Sequence, residues 1–228
     1  MPGTDAVIDT PVEAKKAPVV AGRILAALAD VRSVLDIGCG DGIVRLHLPA
    51  GVRYLGIDAD AGLRVPVRAD NVIYMKPGES AFDHVPDEPF DAVLLLDVLE
   101  HTRDFTGLFV QACARRPRYV VVSLPNEMNG VRRLAFLRGR CPPEQSLAQV
   151  GKPDGHRHMW LVDPDVGTEV LLRTAGPLGY RLRQRHDWRL WPRSPVKRLA
   201  YRLLCAVASA RVWSFHTVLV FEREPSAG

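Results

Sequence analysis

Short, uninterrupted apolar runs recur along the first part of the chain, and each ends at a turn residue or an acidic residue. The clearest are Val31–Ile37, Arg53–Ile57, Phe90–Leu96 and Tyr119–Leu124, with Asn71–Met75 as a weaker one. Segments with helical spacing of apolar residues, such as Pro18–Asp30 and Thr106–Arg116, lie beside them. Strands of this kind, separated by helices, are typical of a parallel sheet covered on both faces. The pattern predicts an α/β fold with a doubly wound, mostly parallel sheet.

The length and composition predict one soluble globular domain. With 228 residues, 47% of them hydrophobic and 25% charged, the chain can bury a core without disulfides or a structural metal. No apolar run approaches the roughly 20 residues of a membrane-spanning helix, which excludes an integral membrane protein. We expect a flexible arm over residues 1–17 and a single domain over 18–228. Within it, residues 126–163 are rich in Arg, Gly, Pro and His, and we expect them to form an inserted cap.

The cysteines are widely scattered, at Cys39, Cys113, Cys141 and Cys205. They form no CxxC pair and no zinc spacing. The first 18 residues lack the central apolar stretch of a secretory signal. We therefore expect a reducing, cytoplasmic location in which these thiols are small core residues.

The most specific local motif is a glycine-rich turn after the first apolar run. Gly38, Gly40 and Gly42 follow the run that ends at Ile37. Glycines here let the backbone turn sharply and lie against a flat ligand, because no side chain fills that space. Asp58 closes the next run, where a carboxylate can accept hydrogen bonds from both hydroxyls of a ribose. Together these features predict a nucleotide site.

A second motif follows the run at Phe90–Leu96, where the chain reads LDVLEH from Leu96 to His101. With its GxGxG spacing and this motif, the segment from about Val31 to Pro125 resembles the class I S-adenosylmethionine-dependent methyltransferases, in particular the small-molecule branch with the LDVLEH signature. The resemblance implies a Rossmann-like, mostly parallel seven-stranded sheet with helices on both faces, a cap after the fifth strand and a final antiparallel strand. It implies S-adenosyl-L-methionine as the cofactor, bound at the carboxyl ends of the strands.

The resemblance also assigns parts of the cofactor to residues of the glycine turn and its neighbours. It implies that Gly38, Gly40 and Gly42 lie under the methionine and ribose parts. It implies that Asp36 helps to hold the methionine end and that Asp58 binds the ribose.

Further residues are assigned in the same way. Glu79 falls where the family usually has an aspartate facing the adenine amine, and Ser80 would offer a backbone amide to the adenine ring. Asp97 and Val98 match the segment that lines the methionine moiety, and His101 is implied to lie near the same end. Carboxylates suit a cofactor that carries a sulfonium cation and an ammonium group.

Two histidines are the candidates for a catalytic base. Histidine can take a proton near neutral pH, and His156 and His158 lie in a stretch that follows Pro125-Asn126, as in similar methyltransferases. We predict that His156 or His158 faces the acceptor, with a loop-pinning role for either residue as the alternative. We find no clustered Asp/Asn set of the catechol-methyltransferase kind, so we expect no metal.

Charge divides the chain into an acidic and a basic half. Residues 1–114 hold 10 Lys and Arg against 17 Asp and Glu, whereas residues 115–228 hold 20 against 9. The basic runs are Val131–Arg140, Tyr180–Arg193 and Lys197–Arg202. Arginines suit phosphates and carboxylates, and basic amphipathic helices suit anionic bilayers. The basic half therefore predicts an anionic acceptor, small or lipid-linked, with contact to an anionic membrane surface or an acidic carrier protein.

The predicted function is O-methylation of such an acceptor. Two alternatives stay open at this point: an RNA or DNA methyltransferase that uses the basic half as its footprint, and a non-catalytic nucleotide-binding module of the same fold. Nucleic acid is disfavoured because the Asp97–Glu100 segment differs from the DPPY-type segment of adenine amino-methyltransferases.

Overall fold

The computed structural model describes residues 4–11, 19–28, 30–59, 71–76, 79–151, 157–207 and 209–225. Within these residues, eight strands form one sheet. They are β1 (Thr4–Pro11), β2 (Ser33–Ile37), β3 (Arg53–Asp58), β4 (Val72–Tyr74), β5 (Ala92–Leu96), β6 (Tyr119–Pro125), β7 (Tyr180–Trp191) and β8 (His216–Arg223). The α-helices are α1 (Gly107–Ala114), α2 (Gly130–Leu137), α3 (Pro164–Ala175), α4 (Pro195–Val207) and α5 (Ala210–Trp213).

The sheet is mostly parallel, and its order is β1-β7-β8-β6-β5-β2-β3-β4. Only β8 runs antiparallel, between β6 and β7. The predicted α/β class, the parallel sheet and the final antiparallel strand are confirmed. The carboxyl ends of β2, β3, β5, β6 and β7 therefore share one edge of the sheet with the start of β8, and this edge carries the site.

The N-terminal part of the chain differs from two expectations. The sheet has eight strands instead of seven, because Thr4–Pro11 pairs in parallel with β7 along its whole length. This part of the expected arm is a strand since the long β7 would otherwise expose an unpaired edge. The expected helix over Pro18–Asp30 is irregular: a π-helical turn, Val20–Ile24, continues as a 3-10 turn, Leu25–Ala27.

Apolar residues of the central strands pack on both faces of the sheet, which is why these strands show no alternation in the sequence. In β2, Leu35 belongs to the core shared with α1 and α3, and its neighbour Val34 belongs to the opposite core under Val20–Ile24. All five residues of β2 are buried. The glycine turn is thus attached to one of the most rigid parts of the molecule.

The expected cap contains a helix of its own. The side chain of Asn129 accepts a hydrogen bond from the backbone N–H of Arg132 and so begins α2 directly after β6. Asp163 begins α3 in the same way, with Pro164 in the first helical turn.

Among the described residues, no helix has the length and apolar character needed to cross a bilayer.

Candidate active site

The glycine turn after β2 is built on positive φ angles. Gly38 and Gly42 have φ of 74° and 70°, and a Cβ at either would overlap a neighbouring valine, Val98 or Val72. At these two positions glycine is therefore required for packing. Gly40, at φ 59°, differs because a Cβ there would meet no atom of the described residues within 4 Å. Its open face is where a flat ligand can lie against the backbone.

Asp58 and the glycine turn are joined by a direct hydrogen bond. The backbone N–H of Gly40 donates to Asp58 Oδ2 over 2.7 Å. The backbone N–H of Gly38 donates to the carbonyl of Ile57 over 2.8 Å, so that the ends of β2 and β3 are held together. The predicted strand-end acid thus lies directly beside the predicted glycine turn.

Asp36 is almost completely buried beneath the same turn. Its Oδ2 accepts a hydrogen bond from the hydroxyl of Tyr54 over 2.8 Å, and its Oδ1 has no hydrogen-bond partner among the residues that the structure describes. Burial raises the pKa of Asp36 to about 7; the bond from Tyr54 works against this shift and the charge of Asp58 adds to it. Burial likewise raises the pKa of Cys39, so this thiol stays neutral. Cys39 and Cys113 are core residues as expected, whereas Cys141 is exposed and Cys205 is half-buried, so the expectation is wrong for these two.

The raised pKa of Asp36 makes stability depend on pH. The ordinary value is 3.8, so the folded protein holds this proton more tightly than the unfolded chain, and stability is expected to fall as pH rises from about 4 to about 7. Asp36→Asn, which cannot ionise, should remove this loss. Thermal unfolding at pH 5 and pH 8 tests this: the variant should gain relative to the wild type at pH 8.

Asp87→Asn is the control, because Asp87 is an exposed acid. It should follow the wild-type curve at both pH values. The same difference between Asp36→Asn and the wild type at pH 5 and pH 8 would contradict the expectation.

Asp97 occupies the carboxyl end of β5 in an unusual conformation. It has φ of 52°, a left-handed value that costs a non-glycine residue roughly 1–3 kcal/mol and is concentrated at functional sites. Its backbone N–H donates to Ser123 Oγ, and Ser123 Oγ donates to its carboxylate. His216 Nδ1, at the start of β8, lies 3.5 Å from the same carboxylate oxygen. The next residue, Val98, packs against Gly38 and so links β5 to the glycine turn.

His101 and His158 are in edge-to-face contact. Their ring centroids are 4.6 Å apart and the rings are nearly perpendicular. His158 Nδ1 lies 2.7 Å from Glu127 Oε1, and Glu127 follows β6. Glu127 is 1% exposed, and its other oxygen accepts the backbone N–H of Val162 over 2.7 Å. Burial raises the pKa of Glu127, but the hydrogen bonds from His158 and Val162 outweigh it, so the pKa lies below its usual value.

Glu79 and Ser80 lie at the neighbouring edge of the site. Glu79 Oε2 accepts the backbone N–H of Lys76 over 2.9 Å and lies 2.8 Å from His84 Nε2. The bond from Lys76 is the main reason why the pKa of Glu79 is lowered. Ser80 Oγ caps the short turn Ala81–Asp83. The adenine contacts implied for both residues stay predictions.

The structure brings most of the predicted residues to one edge of the sheet, and their roles toward the cofactor stay predictions. His156 lies outside the described residues, so its predicted role is not tested. Sequence reasoning missed Glu127 and His216. The first follows Pro125-Asn126 in the stretch that we had already singled out. The second starts the antiparallel strand, and an antiparallel strand brings its first residue to the edge where parallel strands end.

Comparison with known protein families then decides the class. A profile described as a methyltransferase domain matches residues 14–193. The chain belongs to this methyltransferase family. The predicted class of S-adenosylmethionine-dependent methyltransferases is thereby confirmed, together with its cofactor. Among curated protein sequences, none gives a significant match.

Solved structures resemble this methyltransferase in fold at low sequence identity. A SAM-dependent methyltransferase from Archaeoglobus fulgidus is 16% identical, with a TM-score of 0.57 over 91% of this chain and 95% of that one. Magnesium protoporphyrin IX methyltransferase from Synechocystis PCC 6803, with bound S-adenosylhomocysteine, is 15% identical, with a TM-score of 0.56 over 91% and 82%. An O-methyltransferase family protein from Burkholderia thailandensis is 17% identical, with a TM-score of 0.53 over 92% and 55%.

Proposed function

We propose that this methyltransferase transfers a methyl group to an oxygen atom of an anionic, lipid-linked acceptor at a membrane surface. The observation that carries the choice of acceptor is a pair of basic helices, α2 and α4, whose large apolar side chains point to solvent. The proposal adds an acceptor class to the methyltransferase chemistry that the family membership establishes.

The reaction needs little from the protein beyond positioning. The cofactor supplies a methyl group that is already activated on a sulfonium, so the main contribution is to hold the acceptor oxygen in line with it. The glycine turn and Asp58 would hold the ribose, and Asp36 and Asp97 would face the cationic methionine end. His158, oriented by Glu127, would lie on the acceptor side, where a base or another activating group is useful for a hydroxyl.

Both basic helices start from the sheet edge that carries the site. Helix α2 begins five residues after β6 ends, and α4 begins four residues after β7 ends. The two helices also contact the same indole. Gly130 of α2 lies so close to Trp213 that a Cβ there would overlap the indole ring. The ring centroid of Tyr201, in α4, lies 5.9 Å from that of Trp213. Helices α2 and α4 therefore both pack around Trp213, and both begin at the sheet edge that carries the candidate site.

The surface of α2 and α4 combines exposed apolar side chains with cationic ones. Phe136 and Leu137 of α2 are 66% and 82% exposed, and Leu199 and Leu203 of α4 are 61% and 62% exposed. The exposed cationic residues on the same two helices are Arg133, Lys197, Arg198 and Arg202, whereas Arg132 is half-buried and paired with Glu144. A helix that presents leucine and arginine to solvent suits the interface of an anionic bilayer, where the apolar side chains enter the lipid and the cations meet the headgroups. A folded acidic protein would pair with the cations but would leave much of the apolar surface uncovered.

Vesicle flotation tests the membrane part of this proposal. We expect the protein to float with vesicles of phosphatidylcholine and phosphatidylglycerol and to remain unbound with phosphatidylcholine alone. The double variant Leu199→Ser with Leu203→Ser should lose most of this binding, because each leucine contributes roughly 1.5–3 kcal/mol when buried. The control is Leu46→Ser with Leu178→Ser, which removes exposed leucines outside α2 and α4. Equal loss in both double variants would contradict the proposal.

Methyl transfer identifies the acceptor directly. The protein is incubated with S-adenosylmethionine labelled on its methyl group and with cell extract that has been separated into lipid, aqueous and nucleic-acid fractions. We expect label in the lipid fraction, in a base-labile ester or a stable ether, and much less of it with the Asp58→Ala variant at a cofactor concentration that does not saturate the variant. Label confined to nucleic acid or to water-soluble molecules would overturn the acceptor class and leave the methyltransferase chemistry intact.

A further inference from the structure

Three side chains from two distant parts of the chain meet beside the predicted methionine end of the cofactor site. Glu100 and His101 form the end of the turn that follows β5, and His158 comes from the segment after the cap. One ligand atom from each lies within 4.8 Å of the other two. Two imidazoles and one carboxylate are a donor set that suits Zn²⁺, Mn²⁺, Fe²⁺ or Co²⁺ better than Mg²⁺ or Ca²⁺.

The Nδ1 atom of each imidazole lies within hydrogen-bond distance of an acceptor. His101 Nδ1 lies 3.0 Å from the backbone carbonyl of Arg157, and His158 Nδ1 lies 2.7 Å from the carboxylate of Glu127. Since a carbonyl and a carboxylate only accept hydrogen bonds, the proton of each neutral imidazole belongs on Nδ1. The lone pair then belongs on Nε2 and is available to ligate a metal ion. Partners of this kind orient metal-bound histidines and are worth roughly 10- to 100-fold in metal affinity.

Glu127 is itself held in place, which makes this arrangement rigid. The backbone N–H of Val162 donates to its Oε2, and Gln145 Nε2 lies 3.4 Å from the same atom. The third donor, Glu100, is completely buried, and its backbone carbonyl accepts the N–H of Met159 over 2.7 Å. A carboxylate buried beside two neutral imidazoles is stabilised by a cation that all three can share.

We propose that Glu100, His101 and His158 bind a divalent transition-metal ion that takes the acceptor oxygen in an open coordination position. The acceptor part of this inference rests on the proposed function, whereas the metal part does not. In the reaction, the acceptor hydroxyl binds the ion and releases its proton to water. The O–CH₃ bond then forms as the S–CH₃ bond breaks with its electron pair going to sulfur, which leaves S-adenosylhomocysteine and the methylated acceptor. His158 is then a ligand instead of a base.

Metal binding is measured without any acceptor. The full-length protein is stripped with EDTA, dialysed and titrated with CoCl₂ while the visible absorption of Co²⁺ is recorded. We expect one equivalent to bind with ligand-field bands of a protein-bound ion, and an excess of MgCl₂ to leave these bands unchanged. No bands and no heat of binding with either CoCl₂ or ZnCl₂ would overturn the site.

Variants separate this site from other surface histidines. His158→Ala and Glu100→Gln should each weaken Co²⁺ binding at least tenfold, and Glu127→Gln should weaken it about 10- to 100-fold through His158. His47→Ala removes an exposed histidine elsewhere and should bind like the wild type. Unchanged Co²⁺ binding in both His158→Ala and Glu100→Gln overturns the assignment, provided that calorimetry shows each variant still binds S-adenosylmethionine.

Activity then distinguishes the two proposals. We expect the stripped protein to bind S-adenosylmethionine but to transfer methyl groups only after Zn²⁺, Mn²⁺ or Co²⁺ is restored. Full transfer by the stripped protein would overturn the metal's role toward the acceptor while supporting the proposed function. Metal binding by a protein that labels only nucleic acid would support the metal site and overturn the lipid-linked acceptor.

Discussion

Replacing Asp58 by alanine is expected to weaken S-adenosylmethionine binding by about 10- to 100-fold. A hydrogen bond to a charged group contributes roughly 1.5–3 kcal/mol, and each 1.4 kcal/mol is tenfold in affinity. The substitution removes two kinds of hydrogen bond. The carboxylate would accept hydrogen bonds from the ribose hydroxyls, and it already accepts one from the backbone N–H of Gly40 over 2.7 Å. Isothermal calorimetry with S-adenosylmethionine and S-adenosylhomocysteine measures the change.

A conservative variant separates these two effects. Asp58→Asn keeps an oxygen that can accept the Gly40 N–H but loses the charge and one acceptor for the ribose. We expect it to bind the cofactor more tightly than Asp58→Ala and more weakly than the wild type. Asp87→Ala, an exposed acid on the loop before β5, is the control. Wild-type affinity in a folded Asp58→Ala protein would remove Asp58 from the cofactor site.

The second large effect is expected on stability, for Gly38→Ala. The substitution places a side chain at φ 74° and its Cβ 2.6 Å from Val98 Cγ2. A left-handed conformation costs an L-residue roughly 1–2 kcal/mol, and overpacking adds typically about 1–3 kcal/mol. Since domains are stabilised by only about 5–15 kcal/mol, a large share of the folding free energy would be lost. Denaturant unfolding, read as the change in midpoint at constant slope, measures it.

Three further variants test the two causes separately. Gly179→Ala has a similar φ of 76° but open space around the new Cβ, so it should show the conformational cost alone. Gly40→Ala also has open space and should cost a similar amount of stability, yet it should abolish cofactor binding, which Gly179→Ala should not. Adding Val98→Ala to Gly38→Ala should recover part of the loss. If Gly38→Ala costs no more than Gly179→Ala, the contact with Val98 is not what requires glycine.

The parts of the fold that follow from local signals agree closely with the sequence. The run at Arg53–Ile57 is a strand that ends at Asp58, and the run at Tyr119–Leu124 is a strand that ends at Pro125. A run of apolar residues favours a buried strand, and proline ends one, whatever the rest of the chain does. The weakest local signals were misread. Thr4–Pro11 is an edge strand whose place depends on β7, almost 180 residues later in the chain, and such pairing leaves little trace in the strand itself.

The candidate site also contains residues that local signals predicted and residues that only long-range packing brings together. Gly38, Gly40, Gly42 and Asp58 are recognisable one strand at a time, since each serves its own turn or strand end. The pairing of His158 with Glu127 joins residues 31 apart, and that of His216 with Asp97 joins residues from β8 and β5. Neither pair has a fixed spacing that could be recognised in advance. The same holds for the cluster of Glu100, His101 and His158, and it explains why no metal was expected.

The sequence alone determined the features that are predicted to bind the cofactor: buried strands, a glycine turn between them, and an acid at the end of the next strand. These are determined locally, by backbone sterics and by the period of apolar residues. The features that we propose for the acceptor side depend on the tertiary structure. Which histidine meets which carboxylate, and which apolar side chains of α2 and α4 remain exposed, depends on how β7 and β8 return to the sheet edge beside β6. Burial and proximity are properties of the packed chain, and a charge count in the second half could only suggest them.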